Sequence, residues 1–287
     1  MKYIYFFILL TFGLSSCVKN NALPIWLEIN TWDLNPSLNP LNPQGELTHN
    51  ITDVSVYVDN KIIGVFEVPC KIPVLLSGSC KVVLLPTIRN NGISSTKKVY
   101  PFLTQFETTL DLVPGQTYTI NPTTEYYSST VFWIEDFENS TIKIIDDLTV
   151  SNATMNKESN SSIGHWGNYG HIALNTTDSL WMGVTSDSLY LPKSGAEVYL
   201  EIDYMNTNSV LTGVFSYPYG ALQNNPNISM NRQNSDLKWK KIYIDLKDIV
   251  SNSGNSIYFR QYIRTLLDPD LSQSDIYIDN IKVVHAL

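Results

Sequence analysis

Apolar side chains in this sequence recur at every second position, in short runs broken by Asn, Asp, Gly, Ser and Pro. That period narrows the possible folds more than any other feature. Val54-Ser55-Val56-Tyr57-Val58 alternates, turns at Asp59-Asn60, and returns through Lys61-Ile62-Ile63-Gly64-Val65-Phe66. Val198, Leu200, Ile202 and Tyr204 share one strand face, and Tyr199, Glu201 and Asp203 the other. Ile242, Ile244 and Leu246 repeat the pattern, as do Ile276 and Ile278 and, after a slip at Asn280, Ile281 and Val283. A period of two places residues on strands, whereas a helix face needs 3.6. Alanine, the best helix former, occurs only six times. The fold class is all-β.

The first 16 residues read as a signal peptide: Lys2, an apolar run from Tyr3 to Leu14, then small residues. The run is shorter than the roughly 20 residues a spanning helix needs. Leu14-Ser15-Ser16-Cys17 resembles the lipobox of bacterial lipoproteins, which implies that Cys17 is acylated and becomes the mature N-terminus. Residues 17–23 then form a tether, and the protein is expected to be exported and lipid-anchored to the outer membrane. Val18-Lys19-Asn20-Asn21 contains no acidic cluster, so both the periplasmic and the surface face stay open.

Removing Lys2 changes the net charge from −8 to −9. This acidic balance argues against nucleic acid and anionic headgroups as partners, since both demand a basic face. The remaining length suits two domains, each with its own core. The first is read over 24–122, with strands at Val54–Val58, Lys61–Phe66, Ile72–Leu76, Cys80–Leu85, Glu107–Leu112 and Tyr118–Ile120. Turn signals recurring every 8–12 residues indicate a β-sandwich. The polar stretch 123–130 reads as a linker, and 131–287 as a second domain. Cys70 and Cys80 lie in a disulfide-permissive context, and a hairpin across Ser77-Gly78-Ser79 would pair them if the register set them opposite. Two small buried thiols are the alternative.

The order Val-Asp-Asn-Lys-Ile-Ile-Gly, Pro, Ile-Pro-Val-Leu, Ser-Gly, Val-Val-Leu between Val54 and Pro86 resembles PEGA-type and related immunoglobulin-like surface domains. Such a resemblance implies a spacer or interaction module without catalytic residues. Phe132–Glu138, Val198–Tyr204, Trp239–Leu246 and Asp275–Val283 resemble, in that order, four strands of galactose-binding-like jelly rolls, the fold of many carbohydrate-binding modules. Two β-sandwich domains, the second a jelly roll, are therefore expected. The same resemblance implies a structural calcium shared by the start and end of the jelly roll, with Glu138 and Asp279 in those places. Calcium would need six to eight oxygens; the alternative leaves Glu138 ending a strand and Asp279 at an edge.

Catalytic patterns are broken. Glu201 and Asp203 begin a glycosidase-like motif, but Met205 and Asn206 stand where a second glutamate is required. A solvated pair of strand carboxylates accounts for them. His49, His165, His171 and His285 have no Ser or Cys nucleophile in context, and His165 and His171 read as solvated loop residues. Candidate ligand-binding residues are aromatics outside the strand pattern: Trp166 and Tyr169 in a Gly-rich loop, and Tyr217 and Tyr219 around Pro218. Sugar rings dock on exposed aromatic faces, and Asn168, Gln223, Asn224 and Asn225 would fix hydroxyls. Trp133, Trp181 and Trp239 fit the core instead. The reading is a non-catalytic envelope protein whose jelly roll binds glycan; the alternative is a structural or adhesin-like lipoprotein contacting an envelope protein partner.

Overall fold

The computed structural model describes residues 22–37, 39, 43–163, 167–234 and 236–287. Cys17 and Trp166 lie outside the described residues. The N-terminal strands are β1 (Ile25–Ile29), β2 (Asp33–Leu34), β3 (Asp53–Val58), β4 (Lys61–Glu67), β5 (Cys70–Val74), β6 (Gly78–Arg89), β7 (Lys97–Val99), β8 (Phe106–Leu112), β9 (Thr117–Ile120) and β10 (Thr123–Thr124). A three-stranded sheet, β5-β1-β9, faces a five-stranded sheet, β4-β3-β6-β7 with β8 beside β6, while β2 pairs with β10. Ile25, Leu27 and Ile29 from β1 meet Val54, Val56 and Val58 from β3 in one core. The β3–β4 hairpin turns at Asp59 and Asn60, whose φ angles of 46° and 63° suit the tight turn that matches strand twist.

Two expectations fail in this region. Cys70 and Cys80 are free thiols, because the chain changes sheets between them. Strand β5 pairs with β1, setting Cys70 opposite Ile29, whereas β6 pairs with β8, setting Cys80 opposite Leu110. Burial pushes both thiols' pKa values up, which makes them poor nucleophiles. The stretch read as a linker is also structured: β10 runs parallel to β2, and Tyr126 is buried.

The C-terminal strands are β11 (Thr130–Glu135), β12 (Ile144–Asp146), β13 (Met155–Glu158), β14 (Tyr169–Asn175), β15 (Leu180–Thr185), β16 (Val198–Asn206), β17 (Val210–Ser216), β18 (Gln223–Met230), β19 (Lys240–Asp245), β20 (Phe259–Leu266) and β21 (Gln273–Ala286), with one short helix, α1 (Lys247–Ser251). The chain alternates between a six-stranded sheet, β13-β14-β21-β16-β19 with β11 beside β21, and a five-stranded sheet, β12-β15-β20-β17-β18. This is a jelly-roll sandwich. Strand β11 pairs with the end of β21 from Thr130↔Ala286 to Glu135↔Ile281, which ties the first and last strands together. The slip at Asn280 is a bulge: Asn280 has φ 45°, and the register shifts between Glu201 and Asp203. The extra residue returns Ile281 and Val283 to the inner face, beside Ile276 and Ile278.

The outer face of the six-stranded sheet is covered by the N-terminal strands. Tyr199, Tyr243 and Val284 belong to the same apolar cluster as Val54 and Leu84. The Tyr100 ring meets Tyr199 edge-on at 5.1 Å and Tyr243 at 4.9 Å.

Candidate functional site

Where the N-terminal strands cover the sheet, they seal in a polar network. The Glu201 carboxylate accepts the Tyr100 hydroxyl at 2.6 Å and the Tyr126 hydroxyl at 2.9 and 3.0 Å. Lys241 lies 3.3 Å from Glu201 and 3.2 Å from Asp203, whose other oxygen accepts from Thr48 and from the Asn280 amide. Glu201 and Asp203 are therefore buried rather than solvated, because alternation aims them at a second layer. Burial, then Glu201, drives the Tyr100, Tyr126 and Tyr243 hydroxyls well above the usual phenol range. Burial alone would lower the Lys241 pKa, but Asp203 and Glu201 raise it. Lys282 is fully buried and donates to the Glu46 carbonyl at 3.1 Å. Burial, and then Lys241, pushes its pKa down to about 8. The Glu201 and Asp203 carboxylates are closed to a substrate.

The outer face of the five-stranded sheet carries a small buried apolar cluster of its own. On β17 and β20 both faces carry large apolar side chains, which an antiparallel sheet with one solvated face does not require. Val210, Val214, Phe259 and Ile263 point into the core. Met182, Val184, Phe215 and Tyr262 form a separate cluster on the other side, with Tyr217 packed against it. The Phe215 and Tyr262 rings lie 4.8 Å apart at 34°, and Tyr217 stacks on Tyr258 at 4.5 Å and 26°. Gly213 pairs with Tyr262 across the strands, and a Cβ there would collide with the Tyr262 ring and hydroxyl. That buried hydroxyl has no hydrogen-bond partner among the described residues, and burial pushes its pKa up. Arg260 and Arg264 alternate with Tyr262 on β20 and so share its face. Arg260 donates to the Thr185 carbonyl at 2.7 Å. Beyond them lies a cavity of about 210 Å³ lined by Leu211, Ser229, Arg264, Leu266 and Asp268. From Leu211 to Tyr217 the strip runs roughly 20 Å at about 3.3 Å per residue.

The structure divides the residues singled out from sequence. Tyr217 lies on this strip. Tyr219 stands beside it, 89 % exposed, on a turn where its amide donates to Asn255 Oδ1. Asn224 pairs with Phe215 and stays exposed, whereas Asn225 donates to the Val214 carbonyl and the Ser216 hydroxyl. Tyr169 belongs to the opposite sheet and is buried against Trp239 and Tyr277, so it offers no platform. Its neighbour His171 is a strand residue, not a solvated loop residue. One ring nitrogen lies 2.9 Å from Glu158, the other 2.9 Å from Asp275, and the ring stacks on Tyr277. Glu138 accepts the amide and side chain of Asn168 at 2.6 and 2.7 Å, while Asp279 is buried opposite Asp203. Among the described residues no group of three or more His, Cys, Asp or Glu gathers as a metal centre would. Trp181 is core, and Trp133 and Trp239 are half-buried.

Sequence reasoning passed over Phe215, Tyr258, Tyr262 and Arg264 because each falls inside a strand-like run. The signal that finds them is a large apolar or aromatic side chain on each face of 210–217, and Tyr262 flanked by Arg260 and Arg264 in 259–266.

No protein-family model and no curated protein sequence matches this chain. Among solved structures, a xylan-binding domain from Paenibacillus barcinonensis shares 15% identity over 54% of this chain and 99% of that one, with a TM-score of 0.40. A family 11 carbohydrate-binding module from Clostridium thermocellum, in complex with a mixed-linked tetrasaccharide, shares 16% identity over 54% and 96%, with a TM-score of 0.35. A carbohydrate-binding module of the β-sandwich superfamily shares 15% identity over 80% and 85%, with a TM-score of 0.38.

Proposed function

We propose that this chain is an envelope protein, lipid-anchored through Cys17, that binds glycan without cleaving it on the outer face of its five-stranded sheet, at the end that carries Tyr217, Tyr219 and Tyr258. The observation that carries the reading is the stacked, half-buried Tyr217–Tyr258 pair beside the exposed Tyr219, seated on the buried Phe215 and Tyr262 rings and continued by Arg264 and its cavity. Sugars present apolar ring faces and a rim of hydroxyls, so aromatic surfaces flanked by guanidinium and amide groups match them. A strip of this length suits a chain of several sugar units rather than one. The anchor rests on the Leu14-Ser15-Ser16-Cys17 segment.

The test is a glycan array with the chain lacking its first 16 residues, repeated with EDTA to probe the calcium expected at Glu138 and Asp279. Binding to an extended glycan, weakened about tenfold or more by Tyr217→Ala or Arg264→Ala, supports the reading. An array without binding, or variants that bind like the parent, overturns it. Cys17→Ala should move the protein from the membrane to the soluble fraction.

One observation favours the second reading, an adhesin-like contact with a protein. Tyr190, Tyr219, Leu222 and Ile257 are all strongly exposed on loops at one end of the sandwich. Capture of an envelope protein that is lost on Tyr219→Ser, with a silent array, would establish that role.

A further inference from the structure

A second cavity, of about 290 Å³, lies along the seam between the two layers of strands. Asn50, Arg89 and Gly92 line one side, and Tyr204, Lys240, Lys241, Ile242 and Tyr243 the other. Strand β19 is the edge of its sheet, and the N-terminal strands cap that edge at two points. The Asn50 side chain donates to the Lys241 carbonyl at 2.9 Å, and the Asn91 amide donates to the Tyr243 carbonyl at 2.9 Å. The crevice is the gap these two caps leave.

Its chemistry sets it apart from the rest of an acidic chain. Three of its lining residues are cationic and none is a carboxylate. Two of the cations are compensated from behind: Arg89 by Glu67 at 2.9 Å and Asp53 at 3.8 Å, Lys241 by Glu201 and Asp203. Lys240 is exposed and forms no ion pair among the described residues, and Arg89 Nη1 has no partner among them. The crevice thus holds about one uncompensated positive charge and a guanidinium donor. Ile242 and the Tyr204 ring supply an apolar wall. The volume falls at the lower limit of small-molecule pockets, room for a single ring.

We propose that this crevice binds a small carboxylate-bearing ring, with the carboxylate at Lys240 and Arg89 and the ring against Ile242 and Tyr204. A hexuronic acid has this chemistry. The site shares no residue with the sheet strip, so it stands or falls independently of the glycan reading. Because its walls come from both layers, an occupant also bridges them and raises the melting temperature by mass action.

The test uses the chain without its first 16 residues, titrated with glucuronate, galacturonate, glucose, acetate and inorganic phosphate by calorimetry and thermal unfolding. Uronate is expected to bind and raise Tm while glucose does not. Lys240→Gln should weaken it about tenfold, Lys240→Arg should retain it, and Tyr217→Ala should leave it unchanged. Raising salt from about 0.02 to about 0.3 M should weaken it further. Acetate binding as well as uronate would refute the ring, and phosphate binding as well would refute the carboxylate. Uronate binding unaltered by Lys240→Gln, or absent altogether, would overturn the site.

Discussion

Lys282 is a fully buried lysine. Its ammonium is buried, donates to one backbone carbonyl, and shares its surroundings with Lys241. A pKa near 8 in the fold, against 10.5 for the free side chain, means that the unfolded chain holds a proton the native state has lost between those values. Stability therefore rises with pH across that window, and the full cost is present below about pH 8. The nearby tyrosines act in the opposite sense above pH 10, because the native state retains protons the unfolded chain gives up. Lys282→Met removes the lysine contribution alone. Urea unfolding should show the variant more stable than the parent at pH 7, by up to roughly 3 kcal/mol, with the gap closing as pH approaches 10. A gap independent of pH would show that Lys282 stays protonated in the fold.

At the level of the strand, β17 and β20 act as a pair whose two faces have different tasks. The inner face supplies core, and the outer face holds rings close to the backbone. Gly213 makes this possible, since Tyr262 lies where a side chain on β17 would stand. Gly183 does the same on β15 for the inner face, where Trp181 and Ile144 fill the space. Gly213→Ala should cost about 1–3 kcal/mol, read as a lower urea midpoint, because the Tyr262 ring must leave its position. The same variant should lose glycan affinity while leaving uronate binding at the seam intact. An unchanged midpoint would show that the ring moves freely and is no fixed platform.

For the whole molecule, the seam decides cooperativity. One apolar cluster runs from β1 and β3 to Tyr199, Tyr243 and Val284, and the Glu201 network sits inside it. Breaking such a network from one side leaves a buried charge without its partners, which costs more than the net worth of the intact pair. Tyr126→Phe should cost about 1.5–3 kcal/mol, the scale of a hydrogen bond to a charged group. Glu201→Ala should cost about 3–5 kcal/mol, because it takes one of two carboxylates from the buried Lys241 and the acceptor from the Tyr100 and Tyr126 hydroxyls. Calorimetry should show a single transition in the parent that splits or shifts as a unit in Glu201→Ala. Two transitions already present in the parent would mean that the layers unfold independently.

The sequence by itself determined the class of the fold, because alternation, turn residues and the phase slip at Asn280 act locally and are read without knowing any neighbour. It also put Tyr217 among the ligand candidates. What it left open depends on which strand lies beside which. Cys70 and Cys80 are near in sequence, yet the chain switches sheets between them, and only the register shows it. Glu201 and Asp203 alternate as solvent-facing residues should, and nothing in 198–206 reveals that Tyr100, Tyr126 and Thr48 cover them. Phe215 and Tyr262 look like core and are buried, yet they pack in a small cluster on the side of the sheet away from the main core. A strand's two faces are equivalent in sequence; tertiary structure alone decides which of them meets a second layer.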